Sequence, residues 1–167
     1  MSARGTGSVR VREATPEDAA ELSRMRWEHC FELGGYPGAE GEDIGRGAFD
    51  DAFADFLRDA MRSGRWTVWI ADAEGGAVVG TLSVQRVAAV PTPWKVARGW
   101  GYVTSVQVVS EWRGRGVGRL LMNAAAARAK DEGLELLLLW PSPDSVAFYR
   151  AVGFSPAVTA MEAWLGD

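Results

Sequence analysis

Arg113-Gly114-Arg115-Gly116-Val117-Gly118-Arg119 concentrates backbone freedom and positive charge in one short stretch of an otherwise acidic chain. Alternate glycines let the main chain adopt angles closed to other residues and come close to a ligand. The arginines among them carry fork-shaped cationic donors that match phosphate oxygens. The segment therefore has the makings of a pyrophosphate cradle; the plainer reading is a mobile Gly-Arg turn. Two other phosphate loops are excluded by spelling. A Walker A loop ends in Gly-Lys-Ser/Thr, whereas Gly118 is followed by Arg119-Leu120, and a dinucleotide fingerprint requires glycine where Arg119 stands. No nucleophile announces itself: Cys30 has no visible His–carboxylate partnership, and His29 falls in the apolar register of a helix, as a packed histidine does.

The elements around this segment decide whether it can bind anything. Gly101–Val109 is rich in β-branched residues and reads as a strand, Val117, Leu120, Leu121 and Ala124 begin an amphipathic helix, and Gly133 ends it. Leu134–Leu139 is a nearly continuous apolar run, as expected of a strand covered on both faces, and Trp140 at its end reads most simply as core. A strand, a helix and a second strand so joined must pair in parallel through a right-handed crossover. The Gly-Arg turn then lies at the carboxyl end of the first strand and the amino end of the helix, where free N–H groups favour anions.

Upstream, Ser8–Ala14 alternates as a half-buried strand, Thr15-Pro16 opens a helix bearing Leu22, Met25, His29 and Leu33 on one face, and Gly34–Gly38 stops it. An acidic loop (Glu40, Glu42, Asp43) follows, and Phe49, Phe53, Phe56, Leu57 and Ala60 mark a second helix to about Gly64. Trp66–Ala71 and Ala77–Val87 form a hairpin across Glu74-Gly75-Gly76, and Ala88–Arg98 is a loop with two prolines. Downstream, a short helix runs from Ser142-Pro143 through Arg150, and Val158–Leu165 is the expected last strand.

The chain has 167 residues, 47% hydrophobic and 24% charged, which suits one globular domain over residues 8–167 after a frayed 1–7. Its balance of 18 Lys plus Arg against 22 Asp plus Glu gives −4, which argues against nucleic-acid or anionic-membrane partners. One cysteine and one histidine leave no Cys- or His-based metal centre, so no metal is expected. No apolar run is long enough to cross a bilayer, and a reducing cytoplasmic setting is expected. An exposed edge strand would be compatible with a homodimer.

With the turn placed, the chain resembles the GCN5-related N-acetyltransferases, the GNAT family. Arg113-Gly114-Arg115-Gly116-Val117-Gly118 matches their Arg/Gln-x-x-Gly-x-Gly/Ala signature. Val106-Gln107-Val108-Val109 resembles the strand whose backbone pairs with the pantetheine arm of the cofactor, and Phe148-Tyr149-Arg150-Ala151-Val152-Gly153-Phe154 resembles the family's Phe-Tyr-x-x-x-Gly-Phe segment. The order of elements from Val9 to Leu165 agrees as well. Two departures stand out: Ser142 occupies a position where relatives often have Asn, and Ser110 replaces a frequent proline.

The resemblance implies an α/β (α+β) fold: a mixed, largely antiparallel twisted sheet with a central parallel strand pair and flanking helices. It implies acetyl-CoA as cosubstrate, bound by Val106, Gln107, Val108, Arg113, Gly114, Arg115, Gly116, Val117, Gly118, Arg119, Ser142 and Tyr149. It further implies transfer of the acetyl group to a primary amine, small molecule or peptide, by direct attack in a ternary complex. Tyr149 would be the general acid that protonates the departing thiolate; the alternative role is a hydroxyl that only holds the cofactor. Glu28 or Glu32 on the first helix, or a water held by Ser105 or Gln107, would serve as general base. Trp27, Glu28 and Trp94 border the acceptor groove by family layout, and the acids of the first two helices would favour a cationic amine. Two other readings stay open: a non-catalytic acyl-CoA-binding or regulatory module, and an enzyme using a longer acyl-CoA.

Overall fold

Alternation of Val9 and Val11 with Arg10 and Arg12 forms β1 (Val9–Glu13) in the computed structural model, which describes residues 8–32, 44–94 and 99–163. Asp18 closes the turn that follows by accepting from the Thr15 N–H at 2.7 Å, the arrangement of a capping box. It then opens into α1 (Ala19–Glu32). The Arg12 guanidinium grips Asp18 at 2.8 and 2.9 Å and reaches Asp72 at 2.7 Å, so one side chain ties β1 to the start of α1 and to the next strand. That pairing holds the Asp18 carboxyl below its ordinary range.

α2 (Arg46–Ser63) ends on Gly64 in the left-handed conformation and buries Leu57 and Ala60. Leu57, Leu22, Val68 and Ile70 form a core between this helix pair and the sheet. β2 (Trp66–Ala73), β3 (Val78–Val87) and β4 (Trp100–Val108) complete an antiparallel meander with β1. α3 (Val117–Asp131) packs its Val117, Leu121, Met122 and Ala125 into a second core with Val79, Leu82 and Val103. β5 (Leu137–Leu138) pairs in parallel with Gly101 and Tyr102, giving the order β1-β2-β3-β4-β5. α4 (Val146–Ala151) follows a short 3-10 turn at Pro143–Ser145. The mixed, largely antiparallel sheet with flanking helices is the fold class expected; its parallel pair stands at one edge of the described sheet.

Three expectations need correction. The strand anticipated over Leu134–Leu139 shrinks to two residues, and Leu136 is exposed rather than covered on both faces. A continuous apolar run signals burial only if layers exist on both sides. Here no strand lies beyond β5 among the described residues: residues 158–163 form no strand, and Val158 and Met161 are almost fully exposed. Trp140, expected in the core, is 59% exposed, its ring edge-on to Tyr102 and its indole N–H donating to Glu162. Leu33, the Gly34–Gly38 stop, the acids Glu40, Glu42 and Asp43, the end 1–7 and residues 164–165 of the expected last strand lie outside the described residues, as does the side chain of Glu32.

Candidate active site

β4 is the axis of the site. Its register with β3 runs Ser83 to Thr104 and Thr81 to Gln107, so Ser105 and Val106 together face Leu82 alone. Such a bulge breaks the ladder and re-aims side chains. Ser105 has φ +53°, and it is the single non-glycine in the left-handed region among the described residues. That conformation costs about 1–2 kcal/mol for an L-residue. On the other side of β4, β5 reaches only Gly101 and Tyr102, and among the described residues no strand accompanies β4 from Val103 to Val108. This stretch of sheet edge is open to an extended partner.

The strand leads into the Gly-Arg turn through a 3-10 turn at Ser110–Trp112. Arg113 folds back, and its Nε donates to the Val108 carbonyl at 2.9 Å, which fixes where the turn departs. Gly114 (φ +74°) and Gly116 (φ +85°) both take conformations that only glycine adopts easily. An added Cβ at either would meet nothing within 4 Å, so both backbones face open space. Gly116 is the N-cap of α3 and its carbonyl accepts the Leu120 N–H at 3.0 Å, leaving the N–H groups of the first turn for an outside acceptor. Arg113, Arg115 and Arg119 are exposed around them, with the Arg115 guanidinium 5.2 Å over the Trp112 ring. The turn thus presents exposed glycine backbone and three arginines together at the amino end of α3.

Gly118 has another task. A Cβ there would stand 3.0 Å from Phe148 Cζ, so its bare α-carbon lets α4 press against the start of α3. Phe148 lies edge-on to Tyr149 at 5.1 Å, Tyr149 contacts Phe154 at 5.8 Å, and these rings join the core that also receives Val106 and Val108. Tyr149 is thereby placed on the helix beside both β4 and the turn. The Ser142 hydroxyl donates to Ser145 Oγ at 3.0 Å at the entry to α4. Gln107, buried, gives its amide N–H to the Met25 carbonyl at 2.7 Å and so tethers α1 to β4.

Between α1, α2 and the sheet, a cleft open to solvent reaches the bulge. Leu22, Phe53, Phe56, Trp66 and Val68 form its apolar wall. Hydroxyls of Thr81, Ser83, Thr104 and Ser105 line the polar side, and Arg26 is the charged residue. Gln107 also lines it, so Ser105 and Gln107, the sequence candidates for holding a water, both border the cleft. The spacing of Phe53 and Phe56 marks only a helix face, and nothing local distinguishes a ring in the core from a ring on a cleft.

The acceptor-side expectations lie elsewhere. Glu28 is half exposed and bound by the Arg24 guanidinium at 2.6 Å, which also holds Glu21 and depresses its carboxyl. Trp27 packs against Phe31 at 5.0 Å and Phe49 at 5.3 Å beneath the Arg46 guanidinium, and Trp94 is 92% exposed in the turn after β3. Asp50 accepts from Ser23 at 2.5 Å and from Arg46 at 2.8 Å, contacts that lower its pKa in that order. None of these residues lines the cleft. Among the described residues no three His, Cys, Asp or Glu side chains group as metal ligands, and no helix is long and apolar enough to cross a membrane.

The fold and this turn agree with a comparison of families: the acetyltransferase (GNAT) family model matches residues 24–154, and the chain belongs to that family. Among solved structures it is similar to the predicted acetyltransferase of Clostridium acetobutylicum, whose crystal structure is with acetyl-CoA. That pair has a TM-score of 0.76 and 19% identity, covering 95% of this chain and 97% of the other. It is also similar to a GCN5-related N-acetyltransferase from Ralstonia eutropha JMP134 (TM-score 0.71, 25% identity, 95% and 100% covered). Glucosamine-6-phosphate N-acetyltransferase from Arabidopsis thaliana shares the fold at a TM-score of 0.68 and 17% identity, with 95% and 99% covered. No curated protein matches the chain.

Proposed function

We propose that the protein moves an acetyl group from acetyl-CoA to a primary amine, by direct attack within a ternary complex. One observation carries the reading: the edge of β4 that no described strand accompanies leads, through one 3-10 turn, into the left-handed glycine turn that caps α3. The first offers backbone groups to an amide-bearing arm, the second offers N–H groups and guanidinium to a pyrophosphate. The open space before Gly114 and Gly116, which a Cβ would fill, fits such a ligand.

Acetyl-CoA supplies a thioester whose acyl carbon accepts a nucleophile. In this reading the main chain of Val106, Gln107 and Val108 holds the arm, and Gly114 through Arg119 with Arg113 hold the pyrophosphate. Ser142, at the entry to α4, would meet the far side of the arm. The amine lone pair forms the new C–N bond as the C–S bond breaks, and Tyr149 gives its phenolic proton to the departing sulfur. A reference phenol of pKa about 10 can protonate a thiolate of about 8.5 only when well placed. The amine's surplus proton passes to water, and solvent restores the tyrosine. For that water, the hydroxyls of Thr104 and Ser105 at the bulge are favoured over Glu28, whose carboxylate is engaged by Arg24 outside the cleft.

The test is thiol release from acetyl-CoA with a broad amine panel, followed by Tyr149→Phe. Turnover should fall ten- to a thousand-fold, overlapping the range of a general acid, while acetyl-CoA affinity changes much less. Intact turnover in the folded variant would leave Tyr149 a packing residue. A collapse of affinity would make its hydroxyl a cofactor contact.

A further inference from the structure

We propose that the acceptor carries its amine on a compact apolar or aromatic body, seated in the cleft against Phe53, Phe56 and Trp66. The inference rests on the acyl-transfer reading for its chemistry and on the cleft for its selectivity.

The cleft is continuous with the bulge, since Thr104 and Ser105 line it, so a ligand lying there has its end at β4. The wall is a connected set of rings: Phe53 and Phe56 are 6.0 Å apart, and Phe56 meets Trp66 edge-on at 5.2 Å. Phe56 is 37% exposed, an apolar face left towards the opening. Flat apolar groups gain both area burial and ring contact on such a wall.

A flexible polyamine brings no flat apolar body to the rings and gains little of that burial. An apolar wall also helps the reacting amine, because desolvation lowers its pKa and enlarges the neutral fraction that can attack. Hydroxyls of Thr81, Ser83, Thr104 and Ser105 can accept its N–H groups without fixing it in the charged form.

The experiment compares 2-phenylethylamine and tryptamine with putrescine and spermidine, by thiol release at saturating acetyl-CoA and by calorimetric binding in the presence of CoA. The aromatic monoamines should show kcat/KM at least tenfold above the polyamines. Phe56→Ala should raise KM for 2-phenylethylamine at least tenfold, with the KM for acetyl-CoA within twofold. Phe56→Leu, which keeps volume and loses the ring, should give an intermediate rise and guards against a misfolded alanine variant. Equal or better activity with spermidine overturns this proposal and leaves acyl transfer standing. Aromatic amines that bind but release no thiol, with no other amine active, would overturn acyl transfer and uphold the cleft's selectivity. Aromatic amines that neither bind nor react overturn the proposal.

Discussion

Replacing Gly116 separates two roles that the same backbone plays. At φ +85° an L-residue loses roughly 1–2 kcal/mol to the contact of its Cβ with the main chain. No further steric penalty arises inside the protein, because a Cβ there meets no atom within 4 Å. Gly116→Ala should therefore lower the unfolding free energy in urea by about 1–2 kcal/mol and leave the fold intact. Gly116→Val should cost more, since a β-branched residue is a true outlier at positive φ. The space that the new atoms occupy is the space offered to a phosphate before the first turn of α3, so ligand binding should suffer separately. Calorimetry with free CoA should show at least a tenfold weaker Kd, equal to 1.4 kcal/mol or more. Unchanged affinity in a variant that shows the expected stability loss would refute the pyrophosphate placement. An unchanged stability would refute the left-handed conformation itself.

Other perturbations probe the scaffold. Asp18→Asn removes the carboxylate that Arg12 grips and should cost about 1–3 kcal/mol at pH 7, the worth of hydrogen bonds to charged groups. Because the folded carboxyl titrates below its unfolded value near 3.9, the wild-type advantage is complete above that pH and fades as pH falls through the folded value. Urea titrations in which the gap is as wide at pH 2.5 as at pH 7 would contradict this. Gly101→Ala places a Cβ 2.6 Å from Leu137 Cδ2 and 2.9 Å from Val84 Cγ1, so overpacking of about 1–3 kcal/mol should lower the unfolding midpoint. An unmoved midpoint would mean that β5 does not approach β4 this closely.

The antiparallel strands were legible because Val9 and Val11 alternate with arginines on β1, and because the β-rich runs of β2 and β3 flank the Glu74-Gly75-Gly76 turn, signals that are local to each strand or hairpin. The cradle was legible for a similar reason: its glycines and arginines are contiguous, and their chemistry needs no distant partner. The cleft was hidden because Leu22, Phe53, Trp66, Thr81 and Thr104 come from five separate elements and meet only after folding. Ser105 gave no sign of its left-handed backbone, since glycine or asparagine is the usual marker there. Residues 158–163 misled in the opposite way: Val158, Ala160 and Met161 suit a strand, yet β propensity acts only where a neighbouring strand offers its edge.

The brief contact between β4 and β5 also makes the protein's stability a function of what surrounds it. Among the described residues β4 meets β5 in register at Gly101 and Tyr102 alone, while β1 to β4 are stitched along their lengths. The parallel seam must also enclose all of α3, a longer loop than any hairpin closes. A molecule that laid itself along Val103–Val108 and touched the opposite bank would act as a reversible suture across the weakest join. Whatever binds the folded chain and not the unfolded one raises stability by RT ln(1 + [L]/Kd), about 2.7 kcal/mol at a hundredfold excess over Kd. The working reserve of this fold would then rise and fall with the concentration of its own ligand.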